Sequence, residues 1–233
     1  MTSNSRQVRA IVALDTRTLA DAITLVGTLG DTCDFYKIGS ELFTAVGPES
    51  VAAVRERGND VFLDLKFHDI PDTVRGAVRS ASRLGASLVT VHASGGGEML
   101  RAAVDEAGDR CGVLAVTILT SMDARALSTA WGRDVAAVEQ EVLRLAALAR
   151  SAGAHGIVCA AREAAAVRAA HGDALRLLIP GLRLEGRPVN DQVRVATPKE
   201  AAEAGASYVV LGRIVSGAPD PRAMMHRVKE MIS

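Results

Sequence analysis

The sequence is poor in the features that mark secreted, membrane-bound or nucleic-acid-binding chains. It holds three cysteines, Cys33, Cys111 and Cys159, far apart and without CxxC spacing. So sparse and odd a set excludes a disulfide scaffold and reads as reduced thiols in a cytosolic protein. Charge of either sign is not in excess: Lys+Arg and Asp+Glu both number 27, and the isoelectric point is near 7.0. That balance argues against general attraction to nucleic acid or an anionic membrane, while leaving room for a basic pocket around one small anion. No apolar run approaches the ~18 residues of a membrane span. The opening MTSNSRQVRA lacks the apolar stretch of a signal peptide, so a cytoplasmic protein is expected. There is no HExxH or HxxxH, no carboxylate cluster of metal-cage type and no GxSxG. Neither a metal nor a cofactor is expected.

What the chain does contain is ordinary core material, 48% hydrophobic and 23% charged over 233 residues. Length alone allows one large domain or two small ones, and no linker divides the sequence. Short β-branched runs at 10–14, 35–38, 61–65, 88–91, 113–118, 156–158, 175–179 and 208–211 read as strands. Between them, 18–29, 40–57, 72–84, 97–108, 134–152, 161–170, 197–204 and 220–231 carry helical spacing. Gly30, Gly58, Gly85, Gly153, Gly172 and Gly205 each follow a helical run, where a terminating glycine belongs. Eight such units predict an α/β protein, a (β/α)8 TIM barrel forming a single domain over 1–233. A doubly wound open sheet is the alternative. Against it, LDTRTLA stands after the first strand where a Gly-rich dinucleotide fingerprint would be.

A barrel keeps its active site at the C-terminal ends of its strands, and this rule selects the polar residues to weigh. Asp15 follows the first strand and Lys37 sits in the second. The densest cluster is Asp64-Leu65-Lys66-Phe67-His68-Asp69. Period-two alternation sends Asp64 and Lys66 into the barrel mouth and Leu65 towards the helices. The pair has two readings, an ion pair that plugs the barrel or part of a catalytic site, with Asp69 either a helix cap or a member of it. Several charges sharing one mouth favour function, because each is costly to desolvate. After the seventh strand, Pro180-Gly181-Leu182-Arg183 leads into a polar loop ending at Asn190-Asp191-Gln192, and Gly212-Arg213 follows the eighth. Loops in these two places commonly bind phosphate, and Arg213 would add a charge-assisted clamp. His92 reads either as catalytic or as a hydrogen-bonded structural histidine.

With these pieces placed, the chain resembles the orotidine 5′-phosphate decarboxylase family from ALDT (13–16) to GRIV (212–215). The most specific match is DLKFHDIPDTV (64–74), accompanied in order by FYKIGSELF, VHASGG, VTILTSM, PGLR, NDQ and LGR. The resemblance implies conversion of orotidine 5′-phosphate to UMP and CO2, the last step of pyrimidine nucleotide synthesis, without a cofactor. Lys66 would protonate C6 of the pyrimidine. Asp64 would hold Lys66 and lie against the substrate carboxylate, with Lys37 and Asp15 at the ribose. Asp69, Ile70 and Thr73 would belong to the site as well, and Asp69 and Thr73 would reach the neighbouring subunit of a homodimer. Thr120 would contact the pyrimidine. Arg183, Gln192, Gly212 and Arg213 would hold the 5′-phosphate, with 181–191 as a closing loop. Two departures stand out: GLRLEG lacks the proline that often follows the arginine, and Asp72 replaces a common Asn.

The related hexulose-phosphate synthase and keto-gulonate-phosphate decarboxylase group also carries DxKxxD, with magnesium and enediolate chemistry. The IPDTV and NDQ segments favour the orotidine family. A non-catalytic sugar-phosphate sensor is the reading from another class, and it gives no reason for charges placed near a carboxylate.

Overall fold

The computed structural model describes residues 7–184 and 194–233. The strands are β1 (Arg9–Ala13), β2 (Phe35–Gly39), β3 (Asp60–Phe67), β4 (Leu88–His92), β5 (Gly112–Val116), β6 (Gly156–Val158), β7 (Arg176–Ile179) and β8 (Tyr208–Leu211). They pair in parallel in chain order, and β8 returns to β1 to close the barrel. The helices are α1 (Leu19–Leu29), α2 (Ser40–Val46), α3 (Glu49–Arg55), α4 (Pro71–Arg83), α5 (Gly97–Ala107) and α6 (Ala124–Trp131). Then come α7 (Val138–Ser151), α8 (Ala161–His171), α9 (Pro198–Glu203), α10 (Arg213–Ser216) and α11 (Pro221–Met231).

Alternation along each strand divides the apolar residues into two cores. Ile11, Ala13, Phe35, Phe62, Leu88, Leu114, Val116, Val158, Leu178 and Val210 form one cluster, the filling of the barrel. The intervening residues, such as Val12, Ile38, Leu63 and Val89, pack outward against the helices. Continuing the inward set past the filling gives Asp15, Lys37, Asp64 and Lys66, so the period that fills the core also delivers the polar groups to the mouth. Leu65 joins the outer cluster, as its place in the alternation requires.

Three expectations change. Residues 40–57 form two helices, because proline at 48 disfavours helical geometry at the residue before it and Gly47 turns at φ 74°. The helix expected over 134–152 starts only at Val138, and α6 precedes it, begun by the Asp123 carboxylate accepting the Ala126 amide at 2.8 Å. The four-residue α10 follows β8 and was not expected. The six terminating glycines named from the sequence all have positive φ.

Candidate active site

Strand β3 is regular up to Leu63, which pairs with Val89, and pairs again at Phe67 with Val91. Three residues, Asp64 to Lys66, therefore oppose the single residue Thr90. The chain accommodates the excess by putting Lys66 at φ 51°, the one positive φ among the described non-glycine residues. That conformation costs about 1–2 kcal/mol for an L-residue, so the surroundings must hold it. Thr90, fully buried on β4, does so from one oxygen. Its Oγ1 accepts the Lys66 amide at 2.9 Å and donates to Asp64 Oδ1 at 2.9 Å.

The bulge aims Lys66 Nζ at Asp64 Oδ1, 2.8 Å away. Asp64 Oδ2 lies 3.9 Å from Lys37 Nζ, which itself donates to Asp15 Oδ1 at 2.8 Å. The result is a continuous row, Asp15–Lys37–Asp64–Lys66, across β1, β2 and β3. The side chains of Lys37 and Asp64 are only 11% and 14% exposed, so little water screens their attraction. Beside the row, the His92 and His68 rings lie 5.4 Å apart. Burial, the nearby His68 and the Lys66 charge all lower the His92 pKa, leaving its imidazole neutral near pH 7.

The row forms one wall of a cavity of about 270 Å³. Its apolar floor is Phe62, Val116, Val158, Leu178 and Val210. Thr120 on the loop after β5, Arg183 after β7, and Gly212 with Arg213 after β8 complete its lining. The sequence-selected residues thus converge, with three exceptions on the outer edge. Asp69, Ile70 and Thr73 are exposed at the start of α4, with Ile70 67% exposed. Asp69 Oδ1 accepts the Ile70 amide at 2.7 Å, and among the described residues Lys66 has its ion pair with Asp64 and none with Asp69. Gln192 lies outside the described residues, as does most of 181–191. Asp72, in the first turn of α4, is exposed and lies 3.5 Å from Arg75.

Sequence reasoning passed over two supports. One is Thr90, hidden in the apolar run LVTVH. The other is Arg194, whose fully buried guanidinium pairs with Glu163 at 2.7 Å. It also donates to the carbonyls of Ile118 and Leu119 at 3.0 and 2.8 Å, fixing the run that carries Thr120. Glu163 in turn accepts the Ala160 amide at the start of α8. The visible signal was an arginine two residues after Gln192, but nothing in the sequence named its partner. Among the described residues, no three His, Cys, Asp or Glu side chains gather as a metal cage, and no helix is long and apolar enough to cross a membrane.

Known proteins are similar to this chain over most of its length. A chain named orotidine 5′-phosphate decarboxylase from Anaeromyxobacter sp. (strain K) is 52% identical over 215 residues, covering 92% of this chain and 94% of the relative. One of the same name from Cutibacterium acnes is 45% identical over 225 residues, covering 95% of each. The crystal structure of orotidine 5′-phosphate decarboxylase from Lactobacillus acidophilus superposes with a TM-score of 0.87 at 33% identity, covering 97% of this chain and 99% of that one. The Orotidine 5'-phosphate decarboxylase / HUMPS family profile matches residues 9–228, a range that includes the row, the bulge, Arg183 and Arg213. A closed eight-stranded barrel, a charged mouth at its C-terminal end and end-to-end likeness meet in one statement: the chain belongs to that family.

Proposed function

We propose that this enzyme decarboxylates orotidine 5′-phosphate to UMP and CO2 in pyrimidine nucleotide synthesis, using its own side chains and no metal or organic cofactor. The observation that carries the reading is the Lys66 ammonium held at 2.8 Å by Asp64, in a cavity whose rim also bears Arg183 and Arg213. A nucleotide's phosphate fits that rim, with Gly212 and Gln192 as further partners. Thr120 meets the base, and Lys37 with Asp15 meets the ribose.

Loss of CO2 from C6 leaves an electron pair that no adjacent carbonyl delocalises, so electrostatics must stabilise it. A fixed ammonium does this and then supplies the proton to C6. Opposite charges ~4 Å apart attract by roughly 4 kcal/mol at an effective dielectric near 20. That equals about three decades of rate, so one lysine is insufficient alone. Asp64 contributes by placing negative charge where the substrate carboxylate must sit, a repulsion relieved as CO2 departs. Phosphate binding at the rim supplies the energy that forces this approach. The exposed Asp69 and Thr73 extend the row across a two-fold interface, so that each site of a homodimer borrows them from its neighbour.

The test is conversion of orotidine 5′-phosphate to UMP by purified protein after exhaustive chelation. Full turnover is expected. Turnover that returns only with magnesium would move the assignment to the hexulose-phosphate branch, and tight binding without UMP would make the protein a sensor.

A further inference from the structure

We propose that Thr90 is the positioning residue that sets Lys66 for proton delivery, acting through the backbone and through Asp64. The inference rests on the decarboxylase reading given above. Two geometric facts meet at this hydroxyl. The bulge leaves Lys66 opposite no regular main-chain acceptor, since three residues of β3 face one residue of β4. A buried amide without an acceptor is costly, and Thr90 Oγ1 takes the role at 2.9 Å. The same hydroxyl has one hydrogen to give, and it goes to the Asp64 oxygen that also holds Lys66 Nζ, at 2.9 and 2.8 Å respectively. One oxygen therefore fixes both the backbone from which the lysine springs and the carboxylate against which its tip rests.

This arrangement explains why the positive φ sits at Lys66 and nowhere else among the described non-glycine residues. In an ordinary strand the lysine would leave the ladder on the inward face with its long stem free to swing. Here the backbone is turned over, the amide is tied to Thr90, and the ammonium rests on the Asp64 oxygen that Thr90 also holds. Thr90 is not itself part of the cavity lining but bonds two residues that are, Asp64 and Lys66, so it acts through them and does not touch substrate. Threonine suits the position because its β-branched side chain favours a strand while its hydroxyl serves the bulge.

The experiment compares Thr90→Val, Thr90→Ala and Thr90→Ser with the wild type. The valine keeps the shape and removes the hydroxyl, the alanine removes it without branching, and the serine keeps it. Without the hydroxyl, kcat should fall about 100-fold, the scale of an ångström's misplacement of a reacting group, with KM and UMP affinity within about threefold. Serine should stay within about fivefold of wild type, since it preserves both hydrogen bonds. A structure of whichever hydroxyl-free variant folds should show Lys66 out of the left-handed region and its Nζ displaced. The idea is overturned if valine and alanine turn over like wild type, if serine is as slow as they are, if UMP binding falls in step with kcat, or if Lys66 keeps its conformation. Should the wild type make no UMP, the decarboxylase reading fails, and the Lys66 conformation still decides the role of Thr90.

Discussion

Strand β3 carries an aspartate-centred charge cluster at each end, and the two are built differently. At the N-terminal end, Asp60 receives Arg9 at 2.7 Å, Arg55 at 3.1 Å and the Ser87 hydroxyl at 2.9 Å, while Arg9 also lies over the Phe35 ring. The backbone there is regular and the cations are arginines. At the C-terminal end Asp64 is shared by two lysines, the strand is bulged, and a residue is held at positive φ. Guanidinium groups stay charged and match carboxylates with a planar fork, which suits a permanent brace. A lysine ammonium is a point charge that can give up a proton. The same strand thus keeps its brace at one end and its chemistry at the other, in line with the division of labour between the two faces of such barrels.

The largest expected effect breaks the C-terminal cluster. Lys66→Ala should lower kcat by at least about a thousandfold, the electrostatic part alone, while circular dichroism and the melting temperature stay near wild type. A variant keeping a sizeable share of kcat would make Lys66 a structural partner of Asp64. Next comes the rim. Arg213→Ala should cost about 2–5 kcal/mol in kcat/KM for the nucleotide and little for the phosphate-free nucleoside. Equal losses on both substrates would place Arg213 away from the phosphate.

A smaller but sharper effect concerns the outer edge of the mouth. Lys66→Ala and Asp69→Asn homodimers, each inactive, are unfolded together and reassembled at equal concentration. About half of the dimers are then mixed, and in each of these one site pairs an intact Lys66 with the partner's intact Asp69, as two-fold symmetry requires. About a quarter of all sites should recover. Demonstrated exchange with no recovery would confine Asp69 to its own chain.

How far the sequence anticipated this comparison depends on the range of the interactions. Alternation is a local signal. Together with the β-branched runs that marked the eight strands, it gave the inward placement of Asp64 and Lys66, because the same period places Phe62 below Asp64. The break at Gly47-Pro48 was also written locally but was overridden by helical spacing on either side. The bulge was not legible. It depends on Thr90, 26 residues from Asp64, and a threonine in a β-branched run looks like any other strand residue. Arg194 poses the same problem at longer range, since its carbonyl partners at Ile118 and Leu119 lie 76 and 75 residues away. Both residues are polar groups whose meaning lies in what faces them, and only the folded barrel supplies that.

The smallest effect gives the other half of the comparison. Asp60→Asn removes the charge at the N-terminal end and should lower the melting temperature by about 2–4 °C, the size of a 1 kcal/mol loss in a domain of this length. Burial works against the Asp60 carboxylate, but hydrogen bonds from Arg9 and Ser87 overcome it and bring its pKa below the ordinary 3.8. The stability from its ionised form is therefore present above that value and lost as the pH falls through the lower, folded one. The gap between wild type and Asp60→Asn should be full at pH 7 and shrink below about pH 4.

The most direct measurement takes kcat in chelated buffer and melting temperature at pH 7 on the same preparations of wild type, Lys66→Ala and Asp60→Asn. The expected pattern is crossed: Lys66→Ala melts like wild type and makes almost no UMP, whereas Asp60→Asn melts earlier and turns over like wild type. If both variants lose activity and stability in the same proportion, the two ends of β3 do not divide the work, and the charged mouth is a structural plug.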